Sequence, residues 1–232
     1  MIQKNKTPSE AINSALASHF SDDDVVTLIV GQDQDQQRMI VHAPKLTRNS
    51  SYFEAAMKNQ WVEGQTRTIS LPEESPATIA HYLSYSYSGK LFAEDIRFAS
   101  LRKHESHIEP CFQMLVSLYV CGERFLNRRI QKSVVREILR LTLTPGESDD
   151  YWYPTREEVN IMYRGTPEGS PGRRLLVDLQ VFMGLKEELD YDLEVAFIVD
   201  VAKALHDKLY AVESKATEKH LLRTVPRAED YC

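Results

Sequence analysis

His104, Glu105, His107 and Glu109 form the densest set of possible metal ligands in the chain, and His104 with His107 would share a helical face at i, i+3. A zinc site draws a further ligand from a second defined element, and no such residue can be identified by spacing. The four are therefore read as part of a solvated, charged loop, and no metal or other cofactor is expected. Gly165-Thr166-Pro167-Glu168-Gly169-Ser170-Pro171-Gly172 is glycine-rich, but it has neither the nucleophile-elbow spacing nor the lysine of a phosphate-binding loop. It reads as a turn into a helix, with Ser170 as cap and Pro171 in the first turn. No catalytic residue is assigned, and the chain is expected not to be an enzyme. Arg128, Arg129, Lys132, Arg136 and Arg140 fall near one helical face that could meet an acidic partner or a nucleic acid. The simpler account is a solvated outer face paired partly with Glu137, because no interleaved aromatic residues offer a stacking platform.

The elements that must position these residues belong to a globular chain. Of 232 residues, 42% are hydrophobic and 27% charged, proportions that suit a packed core with a solvated surface. A net charge of −6 disfavours a polyanion as the main partner and makes proteins the default. No apolar run approaches the roughly 18–20 residues of a membrane span. Basic Met1–Lys6 lacks the apolar stretch of a secretory signal behind it. The three cysteines, Cys111, Cys121 and Cys232, match neither a disulfide framework nor a zinc site, so a reducing intracellular setting, cytoplasm or nucleus, is expected.

Ile12, Ala15, Leu16 and Phe20 share one face of a short amphipathic helix over residues 1–20. Such a helix is marginal alone and must dock, either on its own subunit or across a two-fold interface. Val25–Val30 and Arg38–Val41 read as a hairpin. Two short helices follow, the first with Pro44 in its opening turn and the second capped by Ser50. Thr66–Leu71 alternates as a strand, and a helix bearing Ile79, Ala80, Leu83 and Tyr87 stops at Gly89. Residues 93–110 are polar and charged, and two helical patterns occupy residues 111–143, with Asn127 as the cap of the second. Pro, Gly and acidic residues concentrate at 144–150, the best domain boundary. Beyond it, Thr155 with Glu158 makes a capping box, and a helix over 193–209 places Val195, Ala196, Ile198, Val199, Ala202 and Leu205 inward. Residues 214–232 read as a polar, frayed tail.

Set in order, Asp24-Val25-Val26, the spacing of His42, Leu46, Ser50 and Phe53, Trp61-Val62-Glu63, Ile69-Ser70-Leu71-Pro72 and Tyr87-Ser88-Gly89 resemble a BTB/POZ domain over residues 21–143. Glu63-Gly64 and the Thr166–Ser170 turn before Arg173-Arg174 resemble fungal members. The resemblance implies an α+β fold, a small sheet capped by a helical cluster, here with a helical carboxy-terminal extension over 151–213. It implies structural roles for Asp24, His42, Leu46, Ser50, Phe53 and Gly89. It also implies a scaffold or adaptor that homodimerises through Ile12, Leu16 and Phe20. Phe92-Ala93-Glu94 resembles the hydrophobic-x-Glu element with which some family members hold a cullin scaffold of a ubiquitin ligase, and Phe92, Glu94 and Tyr119 are the expected partner-binding residues. The alternative it implies is the oligomerisation module of a transcriptional or chromatin-associated regulator. Some members recruit corepressors through an Asp at the Asp24 position and a basic residue after the histidine; Ala43 stands at the latter place.

Overall fold

Val26, Leu28 and Val30 are buried in β1 (Val25–Val30) while the residues between them are half-buried, the period-two pattern of a strand covered mainly on one side. The computed structural model describes residues 24–91, 108–143, 154–183, 192–214 and 226–231. Two compact units divide the chain, Met1–Tyr87 and Ser88–Cys232. The expected helix over 1–20 lies outside the described residues, as do residues 92–107 with the His104 to His107 set, and the 144–150 boundary.

In the first unit β1 pairs antiparallel with β2 (Gln37–His42) and parallel with β3 (Thr68–Leu71), giving the order β2-β1-β3. The β1–β2 hairpin forms as expected, closed by a 3₁₀ turn at Asp33–Asp35. A parallel pair cannot be closed by a tight turn, so the chain crosses over between β1 and β3. That crossover holds α1 (Ala43–Thr47), α2 (Ser51–Ala56) and α3 (Val62–Thr66). Pro44 sits in the first turn of α1, and the buried Ser50 hydroxyl accepts the Phe53 N–H at 3.2 Å, as the sequence predicts. Five-residue α3 was not anticipated, because so short a helix carries no readable period and has no side-chain cap. Its Gly64 is dictated by packing: a Cβ there would lie 2.3 Å from the Lys58 carbonyl oxygen. α4 (Pro76–Ser88) buries Ile79, Tyr82 and Tyr85 and ends before Gly89 at φ +73°.

The described elements of the second unit are all helices. α5 (Ile108–Arg124) begins inside the stretch expected to be loop and packs on α6 (Arg128–Leu143). Asn127 caps α6, its Oδ1 accepting the Ile130 N–H at 3.2 Å. α7 (Arg156–Gly165) opens on the expected capping box, with the Glu158 carboxylate accepting the Thr155 N–H at 2.7 Å. α8 (Pro171–Met183) opens on Ser170, whose hydroxyl accepts the Gly172 N–H at 3.3 Å. In α9 (Val195–Ser214) the inward face is Phe197 and Val201, not the one the sequence suggests. Val195 is 72% exposed, and Ala196, Val199 and Ala202 are exposed with it. The helix is apolar on more than one side, so periodicity alone could not choose, and the aromatic ring of Phe197 took the core. The tail departs from expectation too: Pro226 and Tyr231 are buried, and Ala228–Tyr231 forms a 3₁₀ turn.

Gly64→Ala should lower the unfolding free energy by about 1–3 kcal/mol, since the Lys58 carbonyl it would strike is backbone and cannot rotate away. Urea unfolding followed by circular dichroism measures this.

Candidate interaction surfaces

Seen from the residues upward, the motif positions of the first unit are mostly buttresses. Leu46 and Phe53 are buried, and the Phe53 ring meets Tyr52 and Tyr82 at centroid distances of 5.1 and 6.2 Å. His42 ends β2 and stands at the N-cap of α1. The Tyr87 hydroxyl accepts its backbone N–H at 3.0 Å and lies 2.8 Å from its Nδ1. The Lys45 ammonium rests 5.3 Å from the Tyr87 ring centroid. His42 thus ties the strand end to α4. Asp24, half-buried, immediately precedes β1. The role of Tyr87 in this pairing was missed, since nothing in the sequence links positions 45 residues apart.

What the first unit offers a partner lies elsewhere. Trp61 is 53% and Val62 68% exposed at the start of α3, and Tyr52 on α2 is also exposed. Burial, then the charges of Glu63 and Glu74, raise the Tyr52 phenol above its ordinary value, so acidic groups border this aromatic. Exposed Trp and Tyr carry a large apolar area with a polar tip, the composition of interface anchors.

The second unit is held by a network through Arg173. Its guanidinium donates to the carbonyls of Tyr163, at 2.6 Å, and Thr166, neutralising the carboxy-terminal end of α7, and it stacks 4.6 Å from the Tyr163 ring centroid. The Tyr163 hydroxyl donates to Asp200 of α9 at 3.0 Å. Asn160 pairs with the backbone before α9, donating to the Asp192 carbonyl and accepting the Glu194 N–H, both at 3.1 Å. Arg164 bonds the Glu194 carboxylate at 2.6 Å. The exposed apolar side of α9 is what remains, Val195, Val199 and Leu209 lying on one helical face.

Tyr119, expected to bind a partner, is 1% exposed. A Cβ on Gly172 would lie 2.5 Å from its Cε1 atom, so the ring is fitted against the α8 backbone and is not presented to a partner. Phe92, Glu94, Ile12, Leu16 and Phe20 lie outside the described residues. On α6 Arg128, Arg129, Arg136 and Arg140 are exposed and Lys132 half-buried, whereas Glu137 is buried and bonded to Arg140. Cys111 and Cys121 are buried; burial, then the charge of Glu137, raises the Cys111 thiol, which disfavours the reactive thiolate. Among the described residues no cluster of three or more His, Cys, Asp or Glu is placed to hold a metal, and no helix is long and apolar enough to cross a membrane.

Exposed side chains on α2, α3 and α9 are the surfaces that the described residues build. Residues 14–122 match the BTB/POZ domain. The small mixed sheet with its helices is the α+β BTB/POZ fold, followed by a helical extension. A BTB/POZ domain is a protein–protein interaction module, so binding proteins is the function of this region. No curated protein matches the chain at a significant level.

Burial, hydrogen bonding to Asp200 and its charge hold the Tyr163 phenol well above its ordinary value of 10.0, with Arg173 opposing. Tyr231 is raised in the same way by burial and by Asp178. A raised folded value means that the unfolded chain loses the proton first. The stabilisation is therefore complete below pH 10.0 and is lost as the pH rises above it. Urea unfolding at pH 8 and about pH 11 should show this fall, and Tyr163→Phe with Tyr231→Phe should flatten it.

Proposed function

We propose that the chain is a scaffold or adaptor that self-associates and recruits a partner to a cullin-based ubiquitin ligase. The observation that carries this reading is the BTB/POZ match over residues 14–122 together with a helical extension whose α9 leaves Val195, Val199 and Leu209 uncovered. In it, Ile12, Leu16 and Phe20 form the homodimer contact, Phe92 and Glu94 engage the cullin, and the carboxy-terminal helices present the second partner. The buried thiols of Cys111 and Cys121 fit a reducing intracellular setting.

A second reading rests on the exposed arginines of α6: the BTB/POZ domain oligomerises a transcriptional or chromatin-associated regulator, and Arg128, Arg129, Arg136 and Arg140 meet an acidic partner or nucleic acid. It differs from the first in salt dependence. Nucleic-acid binding through these arginines would weaken steeply with added salt.

The adaptor reading is tested by calorimetry or pulldown with a cullin, comparing wild type with Phe92→Ala/Glu94→Ala. Loss of binding in the double variant, with an unchanged melting temperature, is the expected result. A well-folded wild type that binds no cullin discards the adaptor role and leaves the oligomerisation module.

A further inference from the structure

Residues 226–231 are attached to the second unit as a short peptide ligand is attached to a receptor. Pro226 and Tyr231 are the buried anchors, five residues apart, while Arg227, Glu229 and Asp230 between them are exposed. The turn rests on α6 and α8, far from it in sequence. The Tyr231 hydroxyl donates to Asp178 Oδ2 at 2.8 Å, and Arg174 donates to the Asp230 carbonyl at 3.2 Å. Within the segment, Asp230 Oδ2 accepts the Arg227 N–H at 3.2 Å, a bond internal to the turn.

The surface does not end with this segment. Arg174 and Asp178, the two side chains that hold it, also line a cleft of about 390 Å³ that continues along α8 to Asp200 and Lys203 of α9. A tyrosine that is 4% exposed, a polar clasp on its hydroxyl and an open cleft beyond are the parts of a peptide site, one end of which is filled. Because the occupant is part of the same chain, it competes at an effective concentration far above that of a free ligand.

We propose that the α6–α8 surface holding Pro226–Tyr231 is a peptide-docking site, occupied at rest by this segment and taken over by a partner segment of the same chemistry. That chemistry is a proline and a tyrosine five residues apart, with an acidic residue before the tyrosine. The inference is independent of the BTB/POZ surfaces and of whether a cullin binds.

The test is fluorescence anisotropy with a labelled peptide of the sequence Pro-Arg-Ala-Glu-Asp-Tyr, against the full chain as wild type, as Tyr231→Ala, and as Tyr231→Ala with Asp178→Ala. Tyr231→Ala should bind the peptide at least about tenfold more tightly than wild type, because the internal competitor is released. Asp178→Ala should cancel that gain. A Tyr231→Ala chain that melts cooperatively yet gains no affinity overturns the proposal. Light scattering of wild type separates exchange between copies, seen as a mass that rises with concentration and falls when excess peptide is added. Should Tyr231→Ala fail to fold, hydrogen exchange of wild type decides. Amides of 227–231 that open well before those of α6 uphold an exchangeable ligand, and amides as protected as α6 make the segment a fixed part of the core and sink the idea.

Discussion

The parallel pairing of β1 with β3 is the constraint on which the first unit depends. Parallel neighbours require the intervening chain to leave the sheet and return, and here that return runs through α1, α2 and α3. Each device around it serves the crossover. His42 closes β2 onto Tyr87, Ser50 starts α2 so that Phe53 turns inward, and Gly64 lets α3 touch the Lys58 backbone. His42, Ser50, Phe53 and Gly64 are thereby committed to geometry, whereas Tyr52, Trp61 and Val62 stay exposed.

The second unit solves a different problem, how to fasten helices that follow a match ending at residue 122. Arg173 does so by satisfying carbonyls at the end of α7 while stacking on Tyr163, which in turn bonds α9. One long cation replaces what would otherwise be several unsatisfied buried acceptors. The arrangement leaves α9 apolar on its outer side and leaves Asp178 and Arg174 free to hold the segment 226–231.

Much of this was legible in the sequence because local chemistry marks element starts. The Ser50, Asn127 and Ser170 caps, the Thr155–Glu158 box and the Gly89 stop each belong to a few neighbouring residues, and each appears where spacing put it. The resemblance implied a small sheet capped by helices; the strand order and the parallel β1–β3 pairing, which periodicity does not encode, come from the structure. Failures came where long-range packing decides. α9 is apolar on two sides and only Phe197 shows which turns in; Tyr119 sits in an unremarkable helical pattern yet is buried against Gly172. Tyr231 was a missed signal, a lone aromatic in a polar stretch whose partner lies 53 residues away.

The central claim is that this chain works by protein contact, beginning with itself. Sedimentation equilibrium of the full chain over a hundredfold range of concentration tests it most directly. The account predicts a mass that climbs above the 26.7 kDa of one chain toward twice that value, and that returns to it in an Ile12→Asp/Leu16→Asp/Phe20→Asp variant. A mass that stays at 26.7 kDa throughout would contradict self-association.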